Sequence, residues 1–393
     1  MTVLDEIPLE IVGERLRIAR EAAKIKQVDA AAAIDVARTT IVAIEQGHRR
    51  VKIDELRKLA SLYQTSVNGI LRLESIHVEL APRFRKMLGE ADEAAGEAAE
   101  LLANLAKAEV ELEALLGIKR LANYPPERPI LRGDVRAQAE QDAQELRQRF
   151  GLGMSPVTDL VTLLEMEMGV RVYVRRLNSK ICGLFAYDEA IGACILLNAN
   201  HPRERRTQTG GHELGHLIST RRQPEVLHLD EAENSREERY ANTFARAFLT
   251  PGRAVIQKCQ EVTAGSDRVT RRHVIVLAHY FGVSREALVR RLIELELTKP
   301  GAWDWFQANG GITDDQARQV LGDLVPLDAP TTEANRPTTL RLNMLAAEAH
   351  NQGLLSEGQL ARLLHLDRVE LRELITSCEL DGNEANGFNK LPD

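Results

Sequence analysis

The sequence predicts an α+β fold that is mostly helical, and three observations predict it. Apolar residues recur at helical spacing through most of the chain, and three short strand-like runs rich in Val, Ile and Leu, separated by polar turns, fall within 170–197. A length of 393 residues also exceeds what one hydrophobic core serves, so several domains are expected. Hydrophobic residues make up 44% of the chain and charged residues 28%, a balance that excludes wholesale disorder and a fibrous repeat. Cys182, Cys194, Cys259 and Cys378 form no Cys-x-x-Cys pair, so neither a thiolate zinc site nor a disulfide framework is indicated, and a cytoplasmic location is expected. The first ten residues carry acidic rather than basic groups, and no segment offers eighteen uninterrupted apolar residues, so neither export nor a membrane span is expected.

Between Ile11 and Leu73 the pattern reads as five short helices, with turn signals at Lys24–Gln27, Asp35–Val36, Gly47–Arg50 and Thr65–Ser66; residues 9–74 are expected to form one compact domain. The formal net charge of -7 averages over unlike regions. Leu9–Glu74 holds twelve Lys and Arg against nine Asp and Glu, whereas Glu90–Glu113 holds eight acidic residues and one Lys107. Only the first region suits a phosphate surface. Within it Gln27 opens a short helix, a turn follows at Ile34–Val36, and Ala37–Gln46 forms a second helix ended by Gly47, which is helix-turn-helix geometry. With Leu16, Ala30–Ala33, Val36, Ile41, Ile44, Leu56 and Leu59 inside and Arg38, Thr39 and Thr40 outside, the pattern resembles the XRE, or lambda-repressor-like, family. The resemblance implies a double-stranded DNA operator as partner. Arg38 would read guanine, Thr39 and Thr40 would meet base edges or phosphate, and Gln27 and Arg49 would hold the backbone. The other reading is a protein-interaction module.

Residues 76–122 are expected to be a helical spacer. Leu80, Phe84, Met87, Ala91, Ala94, Ala98, Leu101, Leu105, Ala108, Leu112 and Leu115 alternate steps of four and three, a heptad seam. A homodimeric coiled coil and a hairpin packed on its own chain are both open. Asn123–Pro129, with three prolines, is expected to be a linker. Residues 130–300 then show helices over Ala137–Phe150 and Val157–Met168, strands at Val170–Val174, Ile181–Tyr187 and Ala193–Leu197, and helices over Thr207–Thr220, Arg236–Leu249 and Val269–Glu294. Residues 301–393 are expected to be a helical C-terminal region. Trp303, Trp305 and Phe306 read as an anchor, and Leu354–Ile375 has a second helix-turn-helix-like rhythm without a basic face.

His212, Glu213 and His216 spell H-E-x-x-H in a helical segment. Residues four apart share a helix face, so both imidazoles reach one cation while Glu213 stands beside them. Neutral imidazole suits Zn2+, which lowers the pKa of a bound water, and an adjacent carboxylate can take the proton. A catalytic zinc needs one further protein ligand. A metzincin would place a histidine six residues beyond His216, where this chain has Arg222. The candidates are Glu231, Glu233, Glu237, Glu238 and His228. Glu238 is preferred, because Ala241, Phe244, Ala245 and Phe248 form an apolar stripe that docks its helix on the first. Glu237 is the alternative, and a solvated acidic face is the bland reading.

Ile181–Gly183, Ile195–Asn198, His212–His216 and the run Glu238, Ala241, Asn242, Phe244, Ala245, Leu249 and Pro251 together resemble the ImmA/IrrE-type metallopeptidase family. The resemblance covers roughly Ala137–Leu295. It implies a zincin-like domain in which His212, His216 and Glu238 bind zinc and Glu213 is the general base. It further implies a protein substrate, a helix-turn-helix repressor whose cleavage controls a stress, mobile-element or phage-defence locus. Many members have apolar residues and another histidine where this chain has Ser219, Thr220, Arg221 and Arg222. Two other readings stand beside this one: a transcription regulator whose peptidase-like domain senses a ligand or metal without cutting, and a repressor that cleaves itself within Asn123–Pro129.

Overall fold

The structure is a computed structural model and describes residues 9–63, 67, 70, 92–228, 235–264, 266, 268–322 and 339–378. Among them the helices, in chain order, are α1 (Leu9–Ala22), α2 (Gln27–Ala33), α3 (Arg38–Glu45), α4 (Ile53–Leu62), α5 (Glu93–Leu116), α6 (Val135–Arg149), α7 (Leu160–Thr162), α8 (Arg203–Ser219) and α9 (Arg236–Leu249). There follow α10 (Gly252–Thr263), α11 (Arg271–Phe281), α12 (Arg285–Glu294), α13 (Ala302–Ala308), α14 (Asp314–Leu321), α15 (Leu340–Asn351), α16 (Glu357–Leu363) and α17 (Arg368–Cys378). The strands are β1 (Arg171–Arg175), β2 (Ile181–Asp188), β3 (Gly192–Asn198) and β4 (Glu225–His228). The α+β, mostly helical class is thus the observed one. The chain folds as two compact units, one drawn from 1–78, 104–120 and 340–393, the other from 79–103 and 121–339.

In the first unit, α1 to α4 enclose one core that includes Val12, Leu16, Ala30, Ile34, Ile41 and Leu56. Gly13 lets α1 lie directly on the end of α3, where a Cβ would collide with the carbonyl oxygens of Ile44 and Glu45. After α2, Asp35 takes φ +57, the Val36 N–H donates to the Ala31 carbonyl at 3.0 Å, and extended Ala37 opens α3. Ala32 and Ala33, expected inside, are exposed, because the helical step of about 100° turns them away from buried Ala30, Ala31 and Ile34. The expected fifth helix and Leu80, Phe84, Met87 and Ala91 of the heptad seam fall wholly or largely outside the described residues. On α5, Leu105, Ala108 and Leu112 are fully buried within the single chain. Glu109 and Glu113 are buried with them, paired to Arg120 at 3.2 Å and Arg341 at 2.7 Å. The chain itself therefore covers these three positions of the seam.

The second helix-turn-helix-like rhythm over Leu354–Ile375 is seen as α16 and α17, which repeat the turn between α2 and α3. His365 takes φ +51, the Leu366 N–H donates to the Ala361 carbonyl at 2.9 Å, and Asp367 accepts the N–H groups of Val369 and Glu370 at the head of α17. Buried Leu360, Ala361, Leu364, Leu371 and Leu374 stand where Ala30, Ala31, Ile34, Ile41 and Ile44 stand in the first pair.

In the second unit the sheet order is β1-β3-β2-β4, with β1 parallel to β3 and the other pairs antiparallel. The three expected strands are present, and β4 is an addition. Its four residues pair only with β2, so it carries little of the apolar run that marks a buried strand. Val172, Phe185, Ile195 and Leu197 join Leu214, Leu217 and Ile218 of α8 in one core. Val157–Met168 is not one regular helix: α7 gives way to a π-helical stretch, Leu163–Glu167. Phe306, Ile312 and Ala317 attach α13 and α14 to the same core, and Arg271 lies over the rings of Trp305 and Phe306.

Asn123–Pro129 is a strap rather than a free linker. Its prolines keep it extended, and backbone bonds tie Asn123 N–H to the Met168 carbonyl at 2.9 Å and Arg128 N–H to the Ile218 carbonyl at 2.7 Å. The Tyr124 hydroxyl donates to Gly169 and accepts from the Ala193 N–H. A self-cleaved segment must leave such anchors before it can lie across a catalytic centre.

Candidate metal centre and helix-turn-helix surface

The metal centre begins with two helices that touch. Gly211 and Gly215 lie one turn apart on α8, facing Ala245 and Ala241 of α9; a Cβ at Gly215 would stand 2.8 Å from the Ala241 Cα. Small residues on both sides thus bring the backbones close enough for short ligands from each helix to converge. Ser235 caps α9, its Oγ accepting the Glu238 N–H at 3.0 Å, and this fixes Glu238 in the first turn. From behind, the Tyr240 hydroxyl donates to Asp142 at 2.7 Å, and Arg291 holds the Thr250 carbonyl at 2.9 Å. The helix bearing Glu238 is therefore braced along its length.

The Nε2 atoms of His212 and His216 stand 3.1 Å apart, and the Glu238 carboxylate lies 3.5 Å from the first and 3.4 Å from the second. All three donors fall within 4.8 Å of one another. Behind them, the Nδ1 of His212 lies 3.1 Å from Asn242 Oδ1, and the Nδ1 of His216 lies 3.0 Å from Thr220 Oγ1. Burial, and then the neighbouring His216, pushes the His212 pKa down to about 3, so this ring is a neutral imidazole. Burial raises Glu238, but the hydrogen bond with His216 and the nearby imidazoles outweigh it, and the carboxyl stays below its ordinary value.

These residues fit a divalent cation by the chemistry of the donor set. With each Nδ1 proton directed at an oxygen behind the ring, two nitrogen lone pairs and a carboxylate face one point. Such a set repels itself unless positive charge sits between its members. Two histidines and one glutamate also leave a tetrahedral ion one open position. Glu213 is fully buried beside the cluster without being one of its three donors. Room for it comes from Gly183 on β2, where a Cβ would meet Thr209 at 2.6 Å and approach Glu213 Oε1 at 3.3 Å.

The alternative ligands are placed otherwise. Glu237 lies outside the cluster, His228 is held by Asp92 at 2.7 Å, and Glu231 and Glu233 lie outside the described residues. Neither Asn242 nor Thr220 is among the site residues expected from the sequence. The available signal is spacing: Asn242 stands four residues after Glu238, on the helical face that carries that carboxylate, and Thr220 stands four after His216. Buried Asn198 is a structural hub, accepting from Leu177 and Asn200 and donating to the carbonyls of Asn178 and Ile181.

On the first unit, Arg38 and Thr39 are exposed and Thr40 is half-buried at the start of α3. A polar relay backs them. The Arg20 guanidinium makes a buried ion pair with Glu45 at 2.6 Å, Glu45 accepts from Gln27 Nε2 at 2.9 Å, and Gln27 Oε1 accepts from Arg38 at 3.3 Å. Gln27 therefore sits between the core and the exposed guanidinium. Arg49 is paired with Glu55 at 2.8 Å.

Residues 165–293 match the family model described as an IrrE N-terminal-like domain of the peptidases, and residues 16–70 match a helix-turn-helix family model. No curated protein and no solved structure matches the chain. The first match contains the sheet and all residues of the metal cluster; the second contains α2, α3 and the relay from Arg20 to Arg38. No helix among the described residues is long and apolar enough to cross a membrane.

Proposed function

We propose that this chain, which joins a helix-turn-helix domain to an IrrE N-terminal-like peptidase domain, is a zinc-dependent endopeptidase that acts in the cytoplasm on a helix-turn-helix repressor. The convergence of His212, His216 and Glu238 within 4.8 Å carries this assignment. His212 and His216 would hold Zn2+ through Nε2 and Glu238 through its carboxylate. Bound zinc supplies Lewis acidity towards water and a peptide carbonyl. Glu213 takes the proton of the attacking water and returns it to the leaving amine, and its burial keeps competing solvent away from that carboxylate. Asn242 and Thr220 hold the two imidazoles in place. Cleavage of the repressor would release a stress, mobile-element or phage-defence locus.

The helix-turn-helix domain brings the peptidase to double-stranded DNA, at the operator where the repressor sits. Arg38 reads a base edge, Thr39 and Thr40 contact bases or phosphate, and Gln27 and Arg49 steady the backbone once Arg49 exchanges Glu55 for phosphate. Metal analysis of the purified chain tests the catalytic half: about one zinc per chain is expected, with His216→Ala losing it and retaining DNA affinity. Zinc-free wild-type protein that still regulates its genes would favour a ligand-sensing regulator.

A further inference from the structure

We propose that Thr220 is a positioning residue for the metal ligand His216, on the reading that His212, His216 and Glu238 hold zinc. Thr220 closes α8 with φ -132 and ψ 38, outside helical conformation, and its backbone N–H donates to the His216 carbonyl at 2.9 Å. Its hydroxyl turns back to the same residue, with Oγ1 3.0 Å from His216 Nδ1. One residue thus engages both the main chain and the ring of His216. Its neighbours finish the helix end in the same way: Ser219 Oγ donates to the Gly215 carbonyl at 2.9 Å and Arg221 Nε to the Leu217 carbonyl at 3.0 Å. Arg221 is itself fixed by the Pro125 carbonyl at 2.6 Å and by the rings of Tyr124 and Tyr187, each 5.6 Å from its guanidinium carbon. The Thr220 hydroxyl is therefore presented from a closed, anchored helix end rather than from a loose one.

Metal binding through Nε2 needs the His216 proton on Nδ1, and Thr220 Oγ1 stands where it can accept that proton. A proton on His216 Nε2 would point at His212 Nε2 or Glu238 and block the ligand position. Nδ1–H donating to Thr220 Oγ1 leaves the Nε2 lone pair directed at the cluster and fixes the ring's rotation. His212 receives the same service from Asn242 on α9, so the two rings are oriented from different helices. Thr220, at the end of α8 itself, thus supplies to His216 what α9 supplies to His212 through Asn242.

Zinc affinity by chelator competition tests this, with Thr220→Val, which keeps shape and loses the hydroxyl, and Thr220→Ser, which keeps the hydroxyl. Thr220→Val is expected to bind zinc about 10- to 100-fold more weakly than wild type, and Thr220→Ser close to wild type. Thermal unfolding of the metal-free forms separates positioning from a structural role. Equal melting of the metal-free wild type and Thr220→Val, beside the loss of affinity, supports the assignment. Unchanged zinc affinity in Thr220→Val overturns it while leaving the metal site intact. An equal loss in Thr220→Ser also overturns it, by assigning the effect to the methyl group, and a parallel fall in metal-free stability reassigns Thr220 to helix closure. Wild-type protein that takes up no zinc overturns the metal centre itself.

Discussion

The metal cluster and the recognition helix are both built where a glycine lets two helices touch, Gly215 between α8 and α9 and Gly13 between α1 and α3, but their polar groups face opposite ways. In the first, imidazoles and a carboxylate turn inward, and burial keeps the His212 ring neutral. In the second, Arg20 and Glu45 turn inward, and through Gln27 they hold an exposed arginine from behind. A close helix contact is thus a common frame, and the direction of its polar side chains decides whether it gathers metal-capable donors or presents a surface. The α16–α17 pair carries the lesson further. It repeats the backbone turn and the burial of α2–α3, yet its exposed face mixes Arg368 and Arg372 with Glu370 and Glu373, and Arg372 is paired with Glu357. Geometry alone does not make a reader of DNA.

The largest expected effect tests the inward pair of the helix-turn-helix. Arg20→Ala leaves the Glu45 carboxylate buried without its guanidinium, and a destabilisation of about 3–5 kcal/mol is expected. It should appear as faster amide exchange across α1 to α3. Unchanged protection there would show that the ion pair does not hold the frame.

At the other crossing, Gly215→Val places side-chain atoms against the Ala241 backbone. Overpacking of about 1–3 kcal/mol is expected, together with weaker zinc binding as α9 carries Glu238 away. Gly96→Ala on α5, with nothing within 4 Å of the added Cβ, is expected to gain up to about 1 kcal/mol instead. Equal behaviour of the two variants in denaturant titration would remove the close contact from the account.

At an isolated operator, Arg38→Ala is expected to cost about 1–3 kcal/mol of DNA affinity and to relax preference at one base pair. The smallest effect belongs to its structural counterpart: Arg368→Ala is expected to leave DNA affinity and its salt dependence unchanged, since acidic neighbours flank that arginine. Fluorescence anisotropy across a salt series distinguishes the two. Similar losses in both would give the two turns the same role.

Much of this was legible in residue spacing. H-E-x-x-H and the Glu-x-x-Ala-Asn run belong to helices whose one-face periodicity fixes who meets whom, so His212, His216 and Glu238 converge as their positions imply. The helix α9 has the expected bounds for the same reason, a capping Ser235 at one end and Pro251 beyond the other. What spacing did not disclose is long-range. The Arg20–Glu45 pair, the anchoring of Asn123–Pro129 and the burial along α5 depend on neighbours that only folding supplies. The second helix-turn-helix-like rhythm over Leu354–Ile375 was legible, but its match to α2–α3 is written in φ values and burial, with different residues at nearly every position.

In the proposed peptidase, Glu213 takes a proton at a zinc site without holding the zinc. Glu213→Gln replaces the carboxylate by an amide of the same shape, so metal content, fold and DNA affinity are expected to stay as in wild type. Peptide cleavage should fall by about 10² to 10⁴, because only the proton acceptor is lost. The direct measurement compares new protein termini in cells carrying either form under DNA damage or phage challenge. A shortened helix-turn-helix protein that appears only with Glu213 present is the predicted result. Equal gene regulation by both forms, with no new terminus in either, would contradict the peptidase assignment and leave a ligand-sensing regulator in its place.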